Sequence, residues 1–299
     1  MDSILNKLKQ EFRKGTILNK LIYINVGVFL LFSILGVIYW WLDLDLGHYE
    51  RFLNQLYLPS ENSKLLSQPW TFITYMFLHY TINNNDIWHL LFNMIWLHFA
   101  GKIFLQYLSP KQLLSTYILG GISGGLIFII AYNYVPALIN NTKAPLLGAS
   151  ASVIAIMVAI ATHTPTYSVR LPFIGIVKLK HIAIFSIVLF FISIPDGNAG
   201  GNIAHLGGAL FGYFYIKQLR KGNDYLIGFI KWINNIPHLF KPKSKLKTVH
   251  KRRKTDTQFN TEKSAQQIAV DIVLEKISKS GYESLSKEEK ATLFSASKK

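Results

Sequence analysis

The sequence predicts an all-α polytopic membrane protein, a bundle of six transmembrane helices carrying a cytoplasmic helical tail. Two observations predict this. Half of the 299 residues are hydrophobic, only 16% are charged, and the mean hydropathy is +0.25. The apolar residues also gather in runs nearly free of charge, the length of run that a ~30 Å hydrocarbon core demands.

The runs fall at about 21–42, 87–106, 112–134, 146–162, 180–194 and 203–219. The first, Leu21 to Leu42, holds no charged residue in 22 positions. It is too long, and followed by too many similar runs, to be a cleaved signal. The last two are short. About 15 helical residues rise only ~22 Å, so such helices need tilt, a thinned bilayer or a water-filled cavity above them.

Charge placement orients the bundle. The net charge of +16 would suit a nucleic-acid binder, yet only Arg51, Lys64 and Lys143 fall on the side opposite the N-terminus. All other Lys and Arg lie on the N-terminal side, the pattern of positively charged cytoplasmic loops. Both termini are therefore expected in the cytoplasm, with no nucleic acid as partner. The chain has no cysteine, which excludes disulfides, thiolate metal sites and a cysteine nucleophile.

Four regions follow. Residues 1–20 space Ile4, Leu5, Leu8 and Phe12 as an amphipathic cytoplasmic helix on the inner leaflet. Residues 21–220 form the six-span domain. Within it, the outer loop 43–86 is too rich in aromatic residues for a solvated linker, and a folded, partly helical segment at the interface is expected. Residues 221–266, with Lys251-Arg252-Arg253-Lys254, read as a basic disordered linker drawn to anionic headgroups. Residues 267–299 regain helical periodicity, with a capping box at Ser286-x-x-Glu289, and read as a small cytoplasmic helical hairpin.

Two short stretches place reactive side chains among small residues inside apolar runs. They are Gly148-Ala149-Ser150-Ala151 and Ala204-His205-Leu206-Gly207-Gly208. A lone serine in a membrane helix is more often a packing residue than a nucleophile. Here Gly148, Ala149, Ala151, Ala155 and Ala159 keep one side of its helix small enough for a neighbour to approach. His205 is an ionisable group within a span, beside Gly208-x-x-x-Gly212. If the two small faces meet, the imidazole can take the serine proton and later pass it to a leaving amine. Ser152, the rival nucleophile, lies nearly opposite Ser150 on the helical wheel. His89 and Asn93, four apart in the second span, share a face and can aim two donors at one negative oxygen. His98 is offset from them and packs.

Other chemistries lack their residues. There is no His-Glu-x-x-His, no pair of intramembrane aspartates (Asp196 sits alone in a loop), no Walker A loop and no dinucleotide fingerprint. His89, Asn93 and His205 could hold a metal only without help from carboxylate or thiolate. A solute transporter would show repeat symmetry, which the sequence does not. A non-catalytic binder of membrane proteins on the same architecture remains the alternative to an enzyme.

The order His89-x-x-x-Asn93, Gly148-x-Ser150, Ala204-His205-x-x-Gly208 across six spans resembles the rhomboid family of intramembrane serine proteases. The stretches Trp70 to Lys102 and Gly200 to Tyr215 look especially like its bacterial members. The resemblance covers about residues 20–220. It implies Ser150 as nucleophile, His205 as general base, and His89, Asn93 and the Ser150 backbone N–H as oxyanion hole, with no metal or cofactor. It further implies tight packing of the third, fourth and sixth spans. Substrates would be single-span membrane proteins, within the lipid bilayer of a bacterial inner membrane; oligomeric state is left open. Three features depart from the family pattern. Ala151 stands where many members have glycine. Ile154 replaces an aromatic residue that would stack on the histidine, so the imidazole is expected to pack on an aliphatic surface. A polar insertion, residues 81–86, precedes His89.

Overall fold

The structure, a computed structural model, describes residues 15–79, 87–139, 145–171, 174–239 and 256–296. It divides into two units, Met1–Phe240 and Lys241–Lys299. The described residues are mostly helical. The expected amphipathic helix at residues 1–20 falls largely outside them, as do the 81–86 insertion and the basic run 241–255.

The first unit opens with α1 (Ile17–Trp41), whose start is capped by the Thr16 hydroxyl accepting from the Asn19 N–H at 3.3 Å. The segment that follows is folded, as its aromatic content predicts. It contains α2 (Leu46–Asn54), α3 (Asn62–Ser67) and a helical turn at Thr71–Thr74 running into a 3₁₀ turn at Tyr75–Phe77. Its polar groups are satisfied locally: Trp70 Nε1 donates to the Gln55 carbonyl at 2.8 Å and Thr74 Oγ1 to the Leu56 carbonyl at 2.6 Å. Next come α4 (Ile87–Tyr107) and α5 (Pro110–Tyr134). A Ser109–Gln112 capping box with Pro110 in the first turn starts α5 two residues before the expected span.

After a helical turn at Pro136–Ile139, the longer helices described in the unit are α6 (Ser150–His163), α7 (Leu179–Ile192), α8 (Ala199–Leu219) and α9 (Leu226–Leu239). Two small antiparallel sheets join them. β1 (Leu58–Pro59) pairs with β2 (Pro145–Leu146), and β3 (Ser168–Leu171) pairs with β4 (Gly175–Lys178). By length and composition α1 and α5 can cross a membrane; α6 and α7 are shorter apolar helices of 14 residues each. The short helices are thus the fourth and fifth runs rather than the fifth and sixth. Helix α8 has 21 residues because its glycine-rich start, Ala199-Gly200-Gly201, is helical, capped by Asn198 accepting from the Gly201 N–H at 3.2 Å. A side chain at Gly200 would sit 2.9 Å from Phe128, so glycine there serves close packing rather than a helix break.

Helix α6 is the centre of the unit. Every residue from Ala151 to Ala161 is buried. Helices α5 and α8 close on it through glycines facing its alanines. A Cβ on Gly124 would lie 2.6 Å from the Ala151 Cβ and 2.7 Å from the Ala204 carbonyl oxygen. Cβ atoms on Gly208 and Gly212 would collide with the carbonyl oxygens of Ala151 and Ala155. This is the tight packing expected of the third, fourth and sixth spans. At the far end, Arg220 donates to the Thr162 and His163 carbonyls at 2.7 and 3.0 Å, capping α6 with a cation supplied by the end of α8.

The described part of the second unit comprises α10 (Asp256–Ser280) and α11 (Lys287–Ala296), joined through Gly281 at φ 78°. Lys276 pairs with Glu289 at 2.8 Å and holds its carboxyl below the usual range. The Ser286–Glu289 capping box forms in both directions, at 2.7 and 3.3 Å. The structure differs from the expected linker over 221–266. Helix α9 occupies its first part, tethered by Gln112 donating to Asp224 at 3.0 Å, and α10 begins at Asp256, well before the expected start of the hairpin at residue 267.

Gly208→Ala is expected to destabilise the protein by about 1–3 kcal/mol, because its Cβ meets backbone that cannot rotate away. Gly228→Ala, in α9 with nothing within 4 Å, should be neutral or slightly stabilising. Denaturant titration of both variants in micelles checks the contrast.

Candidate active site

Ser150 is the first residue of α6, and the chain enters it through a turn that only glycine adopts without strain: Gly148 has φ +113°. Three supports fix this turn. The β1–β2 pairing holds Leu146 against Leu58. The Gly148 N–H donates to the Tyr75 carbonyl at 2.9 Å, and the Ala149 N–H to His79 Nε2 at 3.3 Å. The next N–H, that of Ser150, is the first of the helix and has no partner among the described residues; a helix start of this kind favours negative charge.

His205 lies six residues into α8, about 9 Å below the start of that helix. Its Nε2 is 2.6 Å from Ser150 Oγ. With Nε2 accepting the hydroxyl proton, the ring proton sits on Nδ1, which is buried and has no protein partner among the described residues. Among the described residues the pair therefore has no carboxylate behind it. The imidazole does not rest on an aliphatic surface alone, as Ile154 suggests. Phe190 from α7 lies against it, ring centroids 4.4 Å apart and planes at 58°. The aromatic contact comes from a different helix than the family pattern suggests, and Ile154 lines the same cavity beside it.

His89 and Asn93 occupy the first turns of α4. The space that a Gly148 side chain would fill is 3.1 Å from His89 Nε2 and 3.8 Å from Ser150 Oγ. Asn93 is buried and gives one amide N–H to the His89 carbonyl at 2.8 Å, which leaves its second N–H as a donor. Asn93, Ser150 and His205 line one cavity of 660 Å³ between α4, α6 and α7, walled by apolar side chains including Trp96, Met157 and Phe185. Ser152 is buried on the other side of α6, next to Gly121, and takes no part. His98 is exposed on α4 in a separate groove. Among the described residues no cluster of three or more His, Cys, Asp or Glu could hold a metal.

Three contributors escape the sequence reading. Tyr75 is fully buried, its hydroxyl donating to the Gly121 carbonyl at 2.6 Å, so its own carbonyl is held in place for Gly148. His79 is buried with its ring 5.3 Å from that of His89. Phe190 is one aromatic among many. The available signal for His79 is a histidine within an otherwise apolar run, Phe77-Leu78-His79.

A helical membrane protein with a serine hydroxyl on a histidine, below the mouth of an apolar cavity, defines the class. The chain belongs to the rhomboid family: the Rhomboid domain model matches residues 66–222. Residues 253–299 match a second model, described as a family of unknown function (DUF6576). Among curated proteins, the chain is similar to RHOMBOID-like protein 12, mitochondrial, of Arabidopsis thaliana, 27% identical over 212 residues. That match covers 68% of this chain and 58% of the relative. It is also similar to presenilin-associated rhomboid-like protein A, mitochondrial, of Danio rerio, 26% identical over 170 residues, 56% of this chain and 41% of the relative. The chain thus spans about half the length of these relatives. Both are named as mitochondrial proteins of eukaryotes. This corrects the expectation of a bacterial inner membrane, and with it the placement of the termini in a bacterial cytoplasm; the expected likeness to bacterial members in particular gains no support.

Burial, and secondly the neighbouring His89, push the pKa of His79 down to about 3. The neutral ring is the form that can accept from Ala149. The unfolded chain takes up the proton near pH 6.5, while the folded one holds it off until about pH 3, so His79 makes stability fall as pH drops through that window. Unfolding in micelles between pH 7.5 and 5 should show this slope, reduced by up to about 1 kcal/mol per pH unit in His79→Gln.

Proposed function

We propose that the chain is an intramembrane serine endopeptidase that hydrolyses peptide bonds in or near the transmembrane segments of single-span membrane proteins. The observation that carries this reading is the 2.6 Å approach of His205 Nε2 to Ser150 Oγ at the head of an apolar cavity. Six helices, α1 and α4 to α8, would cross the membrane, with α6 and α7 spanning a thinned or tilted section.

Ser150 Oγ attacks the scissile carbonyl carbon as its proton passes to His205 Nε2. The carbonyl oxygen becomes an oxyanion held by His89, the free Asn93 amide N–H and the Ser150 backbone N–H at the start of α6. The imidazolium then returns the proton to the departing amine as the C–N bond breaks, leaving an acyl-serine. Water, deprotonated by His205, attacks the ester, and Ser150 leaves with the proton. No carboxylate is needed to orient the ring, because the contact with Phe190 and the α8 backbone fix it. Substrate would enter from the lipid between α4 and α7. The second half of α7 supports this: Phe185, Val188, Phe191 and Ile192 are exposed, and burial is confined to Leu179, Ile182 and Ala183 at its start.

The test is cleavage of a fluorogenic transmembrane peptide by protein in liposomes. Ser150→Ala and His205→Ala should each abolish cleavage, and Ser150→Ala should abolish labelling by a fluorophosphonate. Asn93→Ala should slow cleavage by about 10- to 1,000-fold. Normal cleavage by either dyad variant overturns the assignment. If wild type neither cleaves nor labels, the chain is instead a binder of membrane proteins, and partner retention by Ser150→Ala distinguishes that case.

A further inference from the structure

A second concavity uses a different face of α4 from the one that lines the Ser150 cavity. It is a groove of 830 Å³ between α1, α4 and β3. One face of α4 forms its floor, with Ile95, Phe99, Lys102 and Gln106 in line at helical spacing. The face changes character along its length. From Ile95 to Phe99 it is apolar apart from His98, which is exposed beside Phe99, with Ile22 of α1 and the half-exposed Ile95 (52%) open to the surroundings. At Lys102 and Gln106 it becomes polar, and Arg170 and Ser168 of β3 close that end.

The apolar part of this face points toward the middle of α4, and the cationic part lies at the end remote from Ser150. Lys102 to Ile95 spans about 10 Å of helix. The amphiphile that fits has an anionic head and a hydrocarbon chain, in that order from the helix end inward. Charge settles the sign of the head. Among the described residues of this unit the carboxylates are Asp43, Asp45, Glu50, Glu61, Asp196 and Asp224, and none lines the groove. Neither Lys102 nor Arg170 forms an ion pair there, whereas Arg51 and Lys64 elsewhere do. A guanidinium and an ammonium together suit a phosphodiester, with the Gln106 amide and Ser168 hydroxyl able to bond its remaining oxygens.

We propose that this groove is a site for one anionic phospholipid, its phosphate between Lys102 and Arg170 and one acyl chain along Phe99 and Ile95. The site is separate from the Ser150 cavity and does not depend on proteolysis. A lipid there would fill the seam between α1 and α4, which otherwise meet closely where Leu18 covers Gly101.

The experiment is native mass spectrometry of the full chain, released from mixed vesicles of phosphatidylglycerol and phosphatidylcholine. Wild type should retain one phosphatidylglycerol in preference to phosphatidylcholine. Lys102→Gln/Arg170→Gln should weaken that retention by about 30-fold, roughly fivefold for each cation, without altering retention of phosphatidylcholine. Lys102→Arg/Arg170→Lys, which keeps both charges, should preserve it and controls for folding. Lys111→Gln/Lys217→Gln removes two cations elsewhere in the same unit; an equal loss there would mean diffuse surface attraction and overturn the site. Displacement of the lipid by soluble glycerol phosphate at matched concentration would also overturn it, since the acyl chain would then contribute nothing.

Discussion

The distance between the backbones of α6 and α8 is the constraint on which the rest of the molecule depends. Within a bilayer, burying apolar surface gives helices no advantage over contact with lipid, so association rests on close packing. Gly208 and Gly212 let α8 approach the carbonyls of Ala151 and Ala155. From the other flank, Gly120 and Gly124 bring α5 onto the alanine methyls of the same residues. His205 is three residues before Gly208, and Ser150 one before Ala151. The Ser150–His205 pair therefore sits at the edge of the tight contact between α6 and α8, and any spreading of that contact lengthens the 2.6 Å separation directly.

A second layer of order comes from hydrogen bonds that would be costly to break in a water-poor environment. Asn25 of α1 donates to the Tyr117 hydroxyl at 3.1 Å, and Tyr117 donates to the Met76 carbonyl at 3.0 Å. Tyr75 bonds α5, and His79 accepts from Ala149. The segment from Tyr75 to His79 is thereby fastened to α1, α5 and the entrance of α6 together. Its role is to hold the glycine turn at Gly148 in the one conformation that leaves the Ser150 N–H unspent.

What is legible in the sequence follows from which of these forces leaves a local trace. Small residues at helical spacing around Ser150 and His205 record a close contact in one dimension, so the pairing of α6 with α8 is written in the residues themselves. His89 and Asn93 share a helical face by spacing alone. Phe190 leaves no such trace, because its contact with His205 joins different helices and neither sequence neighbourhood encodes it. The helical start of α8 is obscured for a related reason: glycines usually weaken a helix, and here Phe128 and Tyr132 demand the one at Gly200. The expected linker over 221–266 illustrates the opposite case. A basic run dominates its composition and hides the helical residues on either side, Leu226–Leu239 and the start of Asp256–Ser280.

Helices α6 and α7 are both 14 residues long and both apolar, yet they are held in opposite ways. Every side chain of α6 from Ala151 to Ala161 is enclosed, while α7 is buried only near its start and shows large apolar side chains over its second half. On the proposed reading both conditions are needed at once. The nucleophile must not move, since proton transfer to His205 tolerates little change in distance. The route to it must open, since a substrate helix cannot pass through packed protein. An apolar wall exposed to lipid can part without leaving polar groups stranded, so its displacement carries little of the penalty that would follow from separating α6 and α8. Phe190 belongs to this looser helix and touches the imidazole, which makes the orientation of His205 sensitive to whether α7 is seated.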